Sequence, residues 1–200
     1  GVQPDEEVFV VCDPERERIA RSVASAARGT GATAMVNVMP RLRAHGNEPP
    51  YTVAAAMKAA DAVVAATNTS LSHTRARREA ADAGTRTFVL RGVTEETMVE
   101  GGVNTDYDEL RRRTALVRDA LVAADEAAVT SPTGTDVTLD IAGRRALSLD
   151  GFFHDDAVRK NASVPTGEAP TSPEEGTTDG TVVVDHSMDN LGLLDEPITL

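Results

Sequence analysis

The sequence predicts an α/β fold: an N-terminal parallel sheet with flanking helices, followed by the start of a β-rich second domain. Short apolar runs alternate with helical segments up to about residue 127, and the loops between them have lengths that suit right-handed crossovers. The sequence after residue 127 is rich in residues that favour turns. We expect an α/β, Rossmann-like domain over 1–127. Residues 128–200 should begin a β-rich metal-site domain, truncated at its C-terminus.

Four apolar runs predict the strands of the parallel sheet. Each is short and bounded by Gly, Pro or polar residues, which favours a buried strand over a helix. The runs are Glu7–Cys12, Ala32–Met39, Asp61–Thr67 and Thr87–Leu90.

Helices are predicted between and after these runs. Asp13 and Pro14 suit the start of the first helix, and Gly84 suits the end of the third. The last helix has the clearest pattern, because its apolar side chains recur at steps of three and four residues. The predicted helices cover 15–28, 53–60, 70–83, 94–99 and 106–125.

The second part reads as β structure. Asp136–Ile141 alternates polar and apolar residues, as a half-buried strand does, and Ala146–Leu149 is expected to pair back on it as a hairpin. Thr181–Asp185 predicts a further strand.

The composition indicates a salt-adapted protein. Asp and Glu number 32 against 20 Lys and Arg, a net charge of −12, and only Lys58 and Lys160 are lysines. Such acidity predicts no nucleic-acid partner. No apolar run reaches the roughly 18 residues of a membrane span, so no membrane partner is expected either. The single cysteine, Cys12, lies in an apolar run and is expected to be buried, which fits a reducing cytoplasm.

Short catalytic motifs are absent from the sequence. There is no HExxH, CxxC, GxSxG or GxGxxG, and the four histidines are scattered. Residues 150–200 hold eleven acidic and two basic residues, which fits a cation site as well as a solvated surface. Any chemistry must therefore come from residues that the fold brings together.

Glu168 lies in the most distinctive segment. Proline and glycine residues on both sides of it predict a defined, irregular loop, a scaffold that can present a carboxylate to a cation. The alternative is an acidic side chain in a surface turn.

This segment, Val164–Asp185, resembles the aminopeptidase T family of thermophilic metallopeptidases, also called aminopeptidase II, and Val129–Asp136 followed by Gly143 and Arg144 is a second similar stretch. The resemblance implies that Glu168 is a ligand of a two-ion site for Zn, Co or Mn. It also implies that the remaining ligands lie beyond residue 200 and that the protein forms a homodimer.

A second segment, Ser70–Arg78, resembles a related branch, the 2,5-dihydroxypyridine dioxygenases, which use Fe(II). His73 would lie at a helix start after a strand, where ligands of open sheets bind, and would act as a base whose pKa the helix N-terminus lowers. His186 follows a predicted strand and could reach the same cleft. Arg75, with Arg77 and Arg78, could clamp an anionic substrate. The alternatives are a histidine that bonds to backbone and a solvated helix face.

Three functions remain open at this stage. The first is a metallo-aminopeptidase, a hydrolase that removes N-terminal residues from peptides. The second is a mononuclear-iron, ring-cleaving dioxygenase acting on a small molecule. The third is a non-catalytic protein on the same scaffold. The Glu168 segment favours the first and the His73 segment favours the second.

Overall fold

The computed structural model describes residues 1–153, 161–188 and 191–200. It confirms the predicted fold class, because a five-stranded parallel sheet is flanked by helices and accompanied by smaller antiparallel sheets. The chain packs as two compact units, Gly1–Leu110 with Leu149–Gly167, and Arg111–Ser148 with Glu168–Leu200. The predicted domain ranges, 1–127 and 128–200, stay a prediction.

The secondary structure elements are numbered in chain order. The strands are β1 (Glu7–Cys12), β2 (Thr33–Val38), β3 (Ala62–Ala66), β4 (Arg86–Val89), β5 (Glu126–Thr130), β6 (Asp136–Asp140), β7 (Asn161–Ser163), β8 (Asp179–Thr181), β9 (Val183–Val184), β10 (Ser187–Met188), β11 (Gly192–Leu193) and β12 (Ile198–Thr199). The helices are α1 (Glu17–Gly29), α2 (Tyr51–Ala59), α3 (Arg75–Asp82), α4 (Glu95–Val99) and α5 (Tyr107–Ala123), with short 3₁₀ turns at Pro14–Arg16 and Gly102–Asn104.

The parallel sheet belongs to the first unit and has the strand order β2-β1-β3-β4-β7. Strand β1 pairs with β2 on one side and with β3 on the other, so that Val10 lies opposite both Val36 and Val64. The sequence does not predict β7, which is three residues long and contains Asn161 and Ser163 rather than an apolar run.

Both faces of this sheet are covered by helices. Along β1, Val8, Val10 and Cys12 belong to the core that packs against α1. Phe9 and Val11 belong to the opposite core, which includes buried residues of α2 and α3. All five residues of β3 are buried, so the central strands have no solvent-exposed face.

The second unit contains a three-stranded antiparallel sheet in the order β5-β6-β8. β5 and β6 are joined by a turn in which the Ser131 N–H donates to the Thr135 carbonyl oxygen at 2.9 Å. The hairpin predicted for Ala146–Leu149 does not form, because β6 already pairs with β5 and β8 on its two edges. The Leu147 N–H donates instead to the Pro170 carbonyl oxygen at 2.9 Å.

The strand predicted over Thr181–Asp185 is divided into β8 and β9. Between them, Val182 exchanges backbone hydrogen bonds with Leu200 at 3.0 and 2.9 Å, which draws the chain away from β6. β9 therefore pairs with β12 rather than continuing the β8 ladder.

Among the helices of the described ranges, none has the length and apolar character needed to cross a membrane.

We predict that Gly180→Ala disrupts the β6–β8 pairing. Gly180 has a φ of +126°, and a Cβ there would overlap the Asp136 carbonyl oxygen and lie 2.8 Å from the Val137 Cα. The matched control is Gly176→Ala, which shares a positive φ of +83° but has open space around the added carbon. We expect Gly180→Ala to lower the free energy of unfolding by about 2 kcal/mol more than the control does. Equal losses in denaturant titrations at high salt would contradict this packing.

Candidate active site at the carboxyl edge of the parallel sheet

The strand order places a topological switch point between β1 and β3. The chain passes from β1 to β2 on one side and then crosses to β3 on the other, so the order reverses between these two strands. In open α/β sheets, ligands bind outside the carboxyl ends of the strands at such a switch point. Here Asp13 follows β1, and residues 67–74, the His73 loop, connect β3 to α3.

Asp13 connects the two strand ends. Its carboxylate is buried, with 1% of the side chain exposed, and accepts the Asn68 backbone N–H at 2.6 Å. Arg16 donates to Asp13 at 3.3 Å and to the Asn68 side-chain oxygen at 3.0 Å. The sequence predicts Asp13 as a helix cap, but its side chain makes no capping bond and contacts the His73 loop instead.

Further hydrogen bonds hold the rest of the His73 loop. The Thr67 hydroxyl donates to the Thr69 carbonyl oxygen at 2.7 Å, and the buried Thr74 hydroxyl donates to the Leu71 carbonyl oxygen at 2.8 Å. The Ser70 N–H donates to Nδ1 of His45, in the loop after β2, at 3.0 Å. The loop thus lacks regular structure, yet its backbone is bonded at several points.

The helix predicted from Ser70 begins only at Arg75, because two side chains cap it there. The Thr74 hydroxyl accepts the Arg77 N–H at 3.1 Å. The Glu48 carboxylate accepts the Arg75 N–H at 2.6 Å and the Ala76 N–H at 3.1 Å. These hydrogen bonds, with that from Arg75 the largest cause, lower the pKa of Glu48, and the positive charges of Arg75 and Arg78 add to the effect.

His73 lies directly before this cap, with its side chain exposed. Two of the three arginines predicted to clamp an anionic substrate bond to the backbone of the loop, and the clamp itself stays a prediction. Arg77 donates from Nε to the Ser72 carbonyl oxygen at 2.9 Å, and Arg78 donates to the His73 carbonyl oxygen at 3.0 Å. Both guanidinium groups therefore stabilise the loop backbone.

Arg75 lines a cleft of about 620 Å³ between α2 and α3, together with Glu48, Tyr51, Lys58 and Glu79. Its guanidinium lies 3.7 Å from the Glu79 carboxylate, and both side chains are largely exposed. The cleft carries charges of both signs, and a substrate-binding role for Arg75 stays a prediction.

The two other predicted site residues lie in the second unit. Glu168 and His186 are both exposed, and the His186 carbonyl oxygen accepts the Leu194 N–H at 2.9 Å. Within 1–153, 161–188 and 191–200, no three His, Cys, Asp or Glu side chains are grouped so that they could hold a metal ion. The described residues thus do not fit a metal centre. The roles predicted for Glu168 and His186 remain untested.

Sequence reasoning missed Arg16, His45 and Asn68, which define the loop. Of the residues that hold the loop, only Asp13 could be singled out from the sequence, because it is a polar residue directly after an apolar strand. The Asp13 and Asn68 partners are 55 residues apart in the chain, so their contact depends on the strand order.

A comparison with known protein families places the chain in one of them. Residues 1–193 match the family model described as NicX, 2,5-dihydroxypyridine 5,6-dioxygenase. Among solved structures, the chain is similar to the 2,5-dihydroxypyridine dioxygenase from Pseudomonas putida KT2440, with 22% identity and a TM-score of 0.78. At this identity the similarity supports the fold alone. The alignment covers 100% of this chain and 60% of that chain. None of the curated proteins compared with the chain matches it.

The family match corrects the first functional prediction. The metallo-aminopeptidase interpretation, with its hydrolase and protease activity, is wrong, because the matching family is one of ring-cleaving dioxygenases. The dioxygenase branch indicated by Ser70–Arg78 is the supported one. The two-ion peptidase site inferred for Glu168 loses its basis with that resemblance.

We predict that Glu48→Gln weakens the cap of α3 in a pH-dependent way. Folding lowers the pKa of Glu48, so its carboxylate contributes stability that is complete above the unfolded-state pKa of about 4.3 and is lost as the pH falls through the folded-state pKa. Because the group is exposed, we expect a loss below about 1 kcal/mol at neutral pH. Glu79→Gln, the same change on an exposed residue of α3, is the control in unfolding measured from pH 7 downwards. A Glu48→Gln effect that does not shrink with acidification would contradict the cap.

We predict that Cys12 does not react in the native protein. Its side chain is buried, and desolvation, with the nearby charges of Asp13 and Glu17, raises the pKa of the thiol to about 11. A thiol-reactive dye should label the chain at pH 8 only after denaturation. Rapid labelling of the folded chain would show that the β1 core opens.

Proposed function

The chain belongs to the NicX, 2,5-dihydroxypyridine 5,6-dioxygenase, family, and on this premise we propose that it serves in the oxygen-dependent opening of a dihydroxylated pyridine ring. The observation that carries the proposal is the extent of the family match, residues 1–193 of 200. The chain spans 60% of the length of the solved relative, so the whole enzyme's activity and substrate are part of the proposal.

Within this proposal, His73 accepts a proton from a ring hydroxyl of the substrate. Its imidazole is exposed, and it belongs to a loop that starts at the switch point and whose backbone is bonded at several points. A neutral imidazole is the side chain best suited to take up such a proton near neutral pH. What supports this role is that His73 lies in the loop that leaves the carboxyl end of β3 and leads into α3, since ligands of open sheets bind at such strand ends.

The proposed cofactor is Fe(II), which would activate the oxygen that opens the ring. The described residues do not fit such a centre, because they contain no group of three potential ligands. The contribution proposed for them is therefore the binding of the ring and the handling of its proton. A homodimer remains a prediction of the sequence.

We predict that His73→Asn lowers kcat for oxygen uptake with 2,5-dihydroxypyridine by about 10²-fold or more, because general-base catalysis contributes that much. The protein as it is made in the cell is assayed in high salt with Fe(II), and an oxygen electrode follows the reaction. His186→Asn, a matched change in the second unit, tests the other predicted histidine. Unchanged kcat in His73→Asn would contradict the proton role. Absence of oxygen uptake by folded, iron-loaded protein would contradict the dioxygenase and favour a non-catalytic protein on this scaffold.

A further inference from the structure

Three side chains form one bonded group at the switch point: Asp13, Arg16 and Asn68, here called the switch-point brace. Asp13 accepts from the Asn68 backbone at 2.6 Å, Arg16 donates to Asp13 at 3.3 Å, and Arg16 donates to the Asn68 side chain at 3.0 Å. Each member thus contacts the other two. The triangle is shielded from solvent, since the Asp13 and Arg16 side chains are 1% and 12% exposed.

The brace attaches the loop to the end of the buried strand β1. Asp13 directly follows β1, whose residues from Val8 to Cys12 are buried between two helix layers. Asn68 is the second residue after β3 and begins the turns that reach His73. Both the backbone N–H and the side-chain oxygen of Asn68 are bonded in the brace, so its orientation relative to β1 is fixed.

Other anchors of the loop do not replace this one. His45 holds Ser70 from an exposed position in another loop, and Thr74 bonds to Leu71 within the same loop. Arg77 and Arg78 donate charged hydrogen bonds at the far end of the loop, to the Ser72 and His73 carbonyl oxygens. At the start of the loop the brace alone uses an ion pair with a buried carboxylate, and a hydrogen bond to a charged group is stronger than one between neutral groups. Disturbing it should therefore move the start of the loop, whereas disturbing an exposed anchor should loosen only its neighbour.

We infer that Asp13 and Arg16 are positioning residues, which hold Asn68 and thereby fix the backbone that presents His73. The inference rests on the proposed role of His73 as proton acceptor. Neither residue contacts the reacting atoms. Their effect on the reaction passes through the loop, because proton transfer requires the base within hydrogen-bond reach of the substrate hydroxyl.

The first experiment needs no turnover. Hydrogen exchange of the loop amides is measured in the wild-type chain, in Asp13→Asn and in Asn68→Ala. Asp13→Asn keeps the size and one acceptor but loses the charge, and we expect the Asn68 amide to exchange about tenfold faster. Asn68→Ala removes only the bond from Arg16, so it stays informative if the buried Asp13 variant fails to fold.

The control is Arg18→Ala, two residues after Arg16, in the first turn of α1. Arg18 pairs with Glu95 at 3.1 Å, and both side chains are exposed, so this variant removes an arginine ion pair outside the brace. Loop exchange should equal that of the wild type. Faster exchange confined to residues 67–74 in the two brace variants supports the inference. Unchanged exchange, or equal acceleration throughout the first unit, overturns it.

The second experiment separates this inference from the proposed function. In the active enzyme, we expect Asn68→Ala to lower kcat about tenfold with KM within about twofold of wild type, since a displaced base costs rate rather than binding. If His73→Asn lowers kcat and Asn68→Ala does not, the positioning role is overturned while the proposed function stands. If His73→Asn leaves kcat unchanged, the proton role of His73 falls and the positioning role falls with it, whatever the exchange data show about the brace.

Discussion

The burial of β1 and β3 on both faces is the constraint on which the first unit depends. Side chains on alternate faces of β1 enter two separate cores, so helices must cover both sides of the sheet. Backbone polar groups within such a layer must pair with neighbouring strands, which the parallel ladders on either side of β1 accomplish. Polar side chains can then reach solvent only at the strand ends. At the switch point the buried apolar segments Val8–Cys12 and Ala62–Ala66 are accordingly followed by polar residues, Asp13 and Thr67.

The parts of this fold that follow from local patterns could be predicted from the sequence. β1 matches its predicted range, since an apolar run bounded by Asp13 admits few alternatives. β7 could not be predicted, because its three residues become a strand only by pairing with β4. The start of α3 was misplaced for a similar reason. Glu48 caps this helix from 27 residues upstream, and a local sequence pattern cannot predict so distant a contact.

The candidate site shows the same division between local and distant causes. His73 could be located from the sequence because a helix starts beside it after an apolar strand. The hydrogen-bond partners of its loop could not be predicted, because the backbone N–H groups of Asn68 and Ser70 bond to residues that are distant in the chain. The bonds of Arg77 and Arg78 to the preceding backbone could not be predicted either, because the sequence does not show which carbonyl oxygens a guanidinium group reaches. The Glu168 segment misled in another way: proline and glycine predict a shaped loop, but a shaped loop does not determine its chemistry.

The His73 loop also shows how an exposed histidine can be presented by a rigid backbone. A loop outside a sheet has no ladder to satisfy its N–H and C=O groups, so side chains must do so if it is to stay ordered. Here a carboxylate, an imidazole and two hydroxyls make these bonds, while arginines of α3 bond the carbonyl oxygens of Ser72 and His73. The loop therefore loses its conformational entropy when the chain folds, and this cost is not incurred again when a ligand binds. The His73 side chain stays exposed while the backbone on both sides of it is hydrogen-bonded, which is how a supporting structure can orient a side chain without covering it.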